Sequence, residues 1–327
     1  MVSTRRTLLS GIAGMVAAQA QKSKQESWNP RLGIYCKYSP GNIDFARQEG
    51  FSSVQLTVQK PLDPDMTDEQ LAGVKDVIQR SGLFVSVLGA PGNHIEPDLA
   101  ARARINNRFV KMIELAGRMG VRNLGTASGT MPGQPLAKQV DEVVRVYTEK
   151  YFPACEKHNV RILWEPWAGG PNIATGPVGY TALFKALDNS PHVGLQFDPS
   201  HFVWQMMDPI ECAREFIDKI HDVHLKDTEI LWPVLRRVGI HPLDNTRWWR
   251  FRLPGSGSID WKAFFTVLMK AGYTGAMNIE NEDQLYYPNY EGAEMTDQFK
   301  RGFRVAHAYL KQFVPERRDG HDAVAHN

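Results

Sequence analysis

Four short segments carry residue types that bind divalent ions and move protons: LWEPW with Glu165, QFDPSH with Asp198 and His201, HDVHLKD with His224 and Lys226, and NIENED with Glu280. In each, an acid or imidazole closes a run of apolar, strand-forming residues. A carboxylate at the end of a buried strand is costly unless it is paired, hydrogen-bonded or bound to a metal. Glu165, Asp198, His224 and Glu280 together offer three carboxylates and one imidazole, a hard and oxygen-rich donor set. Such a set suits a six-coordinate divalent ion, Mn²⁺ ahead of Mg²⁺ or Co²⁺, better than structural zinc. Two coordination positions then remain for a carbonyl oxygen and a neighbouring hydroxyl of a substrate.

Residues so far apart in sequence meet only if the elements carrying them converge. From Arg31 onward, short apolar runs alternate with segments of helical period, the pattern of repeated strand-helix units. Strands are expected at 32–36, 53–57, 84–89, 121–126, 160–165, 193–198, 222–226 and 276–280. Helices are expected between them, among them 102–120, 139–159 and one opened by a Thr67/Gln70 capping box and closed by Gly82. Eight such units predict a single (β/α)8 TIM barrel over residues 31–315 rather than an open doubly wound sheet. The first strand runs into KYSPGN, so the glycine fingerprint of a dinucleotide fold is absent. In such a barrel the strands deliver reactive side chains at their carboxyl ends, where Glu165, Asp198, His224 and Glu280 fall on the fifth to eighth strands.

These motifs, in this order and with PGSGSIDW before the last unit, resemble the xylose-isomerase-like barrels, a superfamily of sugar-phosphate isomerases, ketose 3-epimerases, inosose-processing enzymes and endonuclease IV. The resemblance spans residues 31 to 314. It implies a divalent-metal-dependent sugar isomerase or epimerase in which Glu165 and Glu280 both bind the ion and exchange the substrate proton, while His201 binds substrate oxygens. That division is chemically reasonable, because polarising a carbonyl stabilises the enediolate and lets a partly desolvated carboxylate act as base. Two departures from the epimerase pattern stand out: PWAGGPN lacks the further acid expected after Glu165, and KDTEI lacks the arginine expected after His224. A lyase that cleaves 3-keto-glycosides by β-elimination is therefore a second reading, and a non-catalytic sugar-binding barrel a third. An endonuclease-IV-like site is disfavoured, since QLTVQKP holds no histidine and no Asp-x-His pair occurs between His224 and Glu280.

Further candidates are less decided. His94, in the loop GAPGNHIEP, lies at the right end of the barrel for an additional base. Lys226 follows His224 and offers either a substrate contact or, with Asp227 and Glu229, a surface charge cluster. Trp232, Trp248 and Trp249 lie in the long segment 228–258, where they would cover a bound sugar or form a contact in a homo-oligomer.

Composition bounds the rest. Charged residues make up 23% and hydrophobic ones 43%, which excludes disordered and fibrous classes. The net charge of +2 comes from Arg5 and Arg6, so the remaining chain is balanced and offers no footprint for nucleic acid. The twin arginines, the mildly apolar run to Ala18 and the Ala18-Gln19-Ala20 site resemble a twin-arginine export signal over residues 1–20. A linker (21–30) would follow it and a polar tail (316–327) would end the chain. After signal removal the expected partner is a small carbohydrate outside the cytoplasm, not a membrane. Cys36, Cys155 and Cys212 are too few and too scattered for a disulfide framework.

Overall fold

Among the described residues ten strands form: β1 (Arg31–Lys37), β2 (Ser53–Thr57), β3 (Phe84–Gly89), β4 (Asn123–Thr126), β5 (Arg161–Trp164), β6 (Val193–Phe197), β7 (Ile220–Leu225), β8 (Asp227–Ile230), β9 (Trp249–Arg252) and β10 (Ala276–Ile279). All but β8 and β9 pair in parallel and close into a barrel, with β1 joined to both β2 and β10. The computed structural model describes residues 28–287 and 292–315. The expected export signal, nearly all of the linker and the polar tail lie outside the described residues. Strands buried on both faces must be apolar along most of their length, which is why VGLQF and AMNI are buried throughout.

Local signals set the covering helices. Thr67 and Gln70 form the expected reciprocal capping box ahead of helix Asp68–Ser81, and Gly82 ends it in the left-handed conformation. The helix expected as one piece over 139–159 is instead divided. It runs as Leu136–Val146, widens into a π turn at Tyr147–Tyr151, and resumes as Phe152–His158. Pro153 supplies the reason: it has no N–H to donate and its ring crowds the carbonyl four residues earlier, so the backbone opens by one residue.

The segment 228–258 is not a loop. β8 and β9 pair antiparallel, and helix Trp232–Val238 lies between them. Ile230, Leu235 and Trp248 bury one another in a small core of their own. Asp227 anchors the base of this hairpin. Its carboxylate accepts from the N–H groups of Gly255, Gly257 and Ile259 and from the Trp261 indole, at 2.9–3.1 Å. Gly257 is required there, since a Cβ would come within 2.3 Å of that carboxylate. Asp227 is thus a buried structural acid and not part of a surface cluster.

Inside the barrel, beneath its carboxyl-terminal mouth, the core is polar. Ser53, Gln55, Ser86, Gln196, Asp222 and Asn278 are all buried and hydrogen-bonded to one another. Gly125 on β4 makes room for this layer, because a Cβ there would meet the Gln196 amide oxygen at 2.6 Å.

Replacing Asp227 with Ala strands several buried donors, each costing about 1–3 kcal/mol when left unpaired. The expected result is a loss of about 3 kcal/mol or more, read as a fall in melting temperature of roughly 6–12 °C by scanning calorimetry.

Candidate metal centre

Each of the four expected ligands reaches the barrel mouth by a local device. Glu165 follows β5, its N–H bonded to the Thr126 carbonyl at the end of β4. Its own carbonyl accepts from the Asn172 amide, and the Asn172 oxygen in turn binds Ser128, so PWAGGPN folds back around one asparagine. Asp198 caps helix Pro199–Trp204: Oδ1 accepts from the Ser200 N–H at 2.9 Å, and Pro199 occupies the first helical position, where no N–H is needed. The other oxygen, Oδ2, is buried and faces cations, with the Lys226 ammonium 3.0 Å away. His224 projects into the barrel from β7, two residues beyond Asp222 on the same face. Glu280 follows β10, with its N–H on the Leu225 carbonyl.

The result is one compact cluster. One ligand atom from each of Glu165, Asp198, His224 and Glu280 lies within 4.8 Å of the other three. His224 Nδ1 stands 3.2 Å from Glu165, 3.0 Å from Glu280 and 3.9 Å from Asp198. Three carboxylates and an imidazole converging in a largely buried place fit a divalent ion, which would neutralise acids that otherwise repel one another.

Electrostatics around the cluster are strong. Burial opposes the charge on Glu165, but His224, His201 and Lys226 outweigh it and hold its carboxyl well below the usual range. Glu280 is likewise opposed by burial yet held down at about 2 by Lys226 and His224. Burial works against the His224 cation too, and the Glu280 and Glu165 charges raise it well above the ordinary imidazole range.

The other candidates divide. His201 joins the cluster, with Nε2 at 3.4 Å from Asp198 and 3.5 Å from Glu165. Its Nδ1 accepts from the Trp204 indole at 3.3 Å, which leaves the proton on Nε2 facing the centre. Lys226 is not at the surface. Only 1% exposed, its ammonium bridges Asp198 at 3.0 Å, Glu280 at 2.6 Å and Glu282 at 2.9 Å, beneath the Phe251 ring. Glu229 instead pairs with Arg250 and Arg252 across the hairpin. Trp249 is half-buried and stacks on Trp204 at 4.7 Å, with Arg247 over the indole ring. It reaches the centre indirectly, through Trp204 and Phe251, which both pack on His201. His94 is fully buried, with Nδ1 on the Tyr151 hydroxyl and Nε2 on Thr126. Burial pushes it down to about 3, so a neutral, doubly bonded imidazole stands where a free base was expected.

Sequence reasoning missed Glu282, Gln55 and Phe251. Glu282 had a signal, since NIENED repeats an acid at the two-residue strand period. Gln55 had none: one glutamine in SVQLT says nothing of a partner 169 residues away.

Residues 43–306 match the sequence profile of the xylose isomerase-like TIM barrel family. YfiH of Bacillus subtilis, an uncharacterized protein, is 26% identical over 311 residues, covering 84% of this chain and 94% of its own. An inosose dehydratase of Clostridium botulinum is 36% identical over 92 residues, which span 28% of this chain and 30% of that protein. Among solved structures, an L-ribulose 3-epimerase has a TM-score of 0.66 at 19% identity, covering 87% of this chain and 94% of that one. The 3-keto-D-glucoside 4-epimerase YcjR of E. coli has 0.64 at 16%, covering 87% and 100%. At these identities the structures speak to fold alone.

Dialysis against a chelator is expected to lower the melting temperature, and Mn²⁺ at 100 times its dissociation constant to raise it again, the stabilisation being about 2.7 kcal/mol. Elemental analysis of the reloaded protein should give one divalent ion per chain. His224→Ala should abolish the Mn²⁺ response.

Proposed function

The chain belongs to the xylose isomerase-like TIM barrel family, and on that premise we propose that it is a divalent-metal-dependent sugar isomerase or epimerase that moves a proton on the carbon next to a carbonyl. The observation that carries this reading is the convergence of Glu165, Asp198, His224 and Glu280 with His201 and Lys226 beside them. A divalent ion held by the four, with Mn²⁺ the best match to this donor set, supplies Lewis-acid polarisation of the substrate carbonyl. Glu165 and Glu280 approach the centre from the ends of non-adjacent strands and are both held ionised, so either serves as base, and the other, once it has taken a proton from solvent, as the returning acid. His201, its Nε2–H fixed by Trp204, donates to the oxygen on which negative charge develops. The aromatic side of Phe251 closes the mouth over His201 and Lys226 and limits water.

One observation favours β-elimination as a second reading. The Lys226 ammonium is paired with Glu280 and Glu282 and faces the cluster, where burial opposes its charge but Asp198, Glu280 and Glu282 hold its proton well above the ordinary lysine range until one of those acids is neutralised. In that reaction a glutamate takes the proton next to the carbonyl, the new double bond expels the oxygen at the neighbouring carbon, and Lys226 protonates the departing oxygen. The inosose dehydratase relatives support chemistry of this class. The twin-arginine segment supports export, and with it a free or oxidised sugar as substrate; mass spectrometry of the mature N-terminus should find cleavage after Ala20.

Proton NMR in D₂O on the metal-loaded protein, with ketoses, aldoses and 3-keto-glycosides, tests the assignment. Deuterium entering the carbon next to the carbonyl with the skeleton intact supports isomerisation or epimerisation. Release of a fragment shifts it to elimination, and no exchange on the whole panel refutes both. Glu280→Gln should retain the fold and the far-ultraviolet circular dichroism while lowering exchange by about 10²-fold to 10⁴-fold.

A further inference from the structure

A histidine that ligates an ion through one nitrogen must hold its proton on the other, and something must fix which is which. His224 turns Nδ1 to the carboxylate cluster and Nε2 into the barrel, where it lies 2.9 Å from the Gln55 side-chain oxygen. An amide can present either oxygen or nitrogen, so Gln55 alone decides nothing. The next contacts decide it. In its ionised form Asp222 offers the layer only acceptor oxygens, and it takes hydrogen bonds from Gln196 at 3.0 Å and Asn278 at 3.0 Å. Gln196 must therefore turn its amide nitrogen inward. That same nitrogen donates to Gln55 at 2.7 Å, so Gln55 must answer with oxygen. An oxygen there can only accept, and His224 must carry its proton on Nε2.

We infer that Gln55, oriented by Gln196 and Asp222, is a positioning residue that fixes the His224 tautomer and keeps the Nδ1 lone pair aimed at the ion site. Gln55, Gln196 and Asp222 are each at most 1% exposed, so no water competes for the direction of the chain. Gly125 leaves the space that the Gln196 amide fills, and Asn278 is itself bonded to Ser86 on β3 and Ser53 on β2. Polarity is passed from β7 through β6 and β2 back to β7, across the width of the barrel. The inference rests on the metal-centre reading but concerns residues that touch no substrate.

The test compares wild type with Gln55→Leu, Gln55→Glu and Gln196→Leu by Mn²⁺ titration, and reads the histidine tautomer by ¹⁵N NMR of the Mg²⁺-loaded wild type. Gln55→Leu and Gln196→Leu are expected to weaken Mn²⁺ binding about 10-fold to 100-fold, while Gln55→Glu, which keeps an acceptor, stays near wild type. His224 should resonate as the Nε2–H tautomer. Equal Mn²⁺ affinity in wild type and a folded Gln55→Leu, or an Nδ1–H signal from wild-type His224, overturns the relay and leaves the metal centre standing. The wild-type spectrum decides even where the leucine variants fail to fold. No divalent-ion binding by wild type overturns the metal centre and the relay with it.

Discussion

Bringing Glu165, Asp198, Glu280 and Glu282 to one end of a barrel sets a problem of charge. Like charges a few ångströms apart in a medium of low dielectric repel by several kcal/mol. The protein meets this with cations of its own. Lys226 lies against three of the four acids, and the His224 imidazole between Glu165 and Glu280. The chain is therefore not like a small zinc domain that unfolds without its ion: its acids are partly compensated before any metal arrives. An ion entering this site would have to displace or share those contacts.

A second constraint lies one layer deeper. A barrel lumen filled only with branched aliphatic side chains would present no acceptor to the inner nitrogen of His224. Here the lumen exchanges apolar packing for a closed set of hydrogen bonds among Gln55, Gln196, Asp222, Asn278, Ser53 and Ser86. Buried polar groups of this kind are tolerated only when their partners are present. The strand ends above can then carry charged ligands at fixed angles because the layer below them does not yield.

The sequence made the barrel legible because its strands are buried on both faces and read as apolar runs; SVQLT and FVSVLG coincide with β2 and β3. The four clustered residues were legible for a related reason: Glu165, Asp198 and Glu280 each follow the last residue of such a run, and His224 interrupts one near its end. What lay beyond reach was anything decided by tertiary environment. Lys226 reads as one charge among several in KDTEI, yet it is buried, while Glu229 three positions on is not. His94 reads as a loop histidine, and only the fold shows Tyr151 and Thr126 closing on it. The break in the helix at 147–151 follows from Pro153, a residue visible in the sequence whose consequence was underweighted against strong helical periodicity.

The hairpin of β8 and β9 carries Phe251 and Trp249 on a unit with its own small core, tied to the barrel at both ends by the single carboxylate of Asp227. Such an arrangement separates reactivity from selectivity. The barrel strands hold the clustered acids and imidazoles, and the appended hairpin stands beside them on a core of its own. Exposed residues of 231–247 outside that core can therefore change with little strain on the barrel mouth, and the hairpin is a module that can be exchanged as a unit.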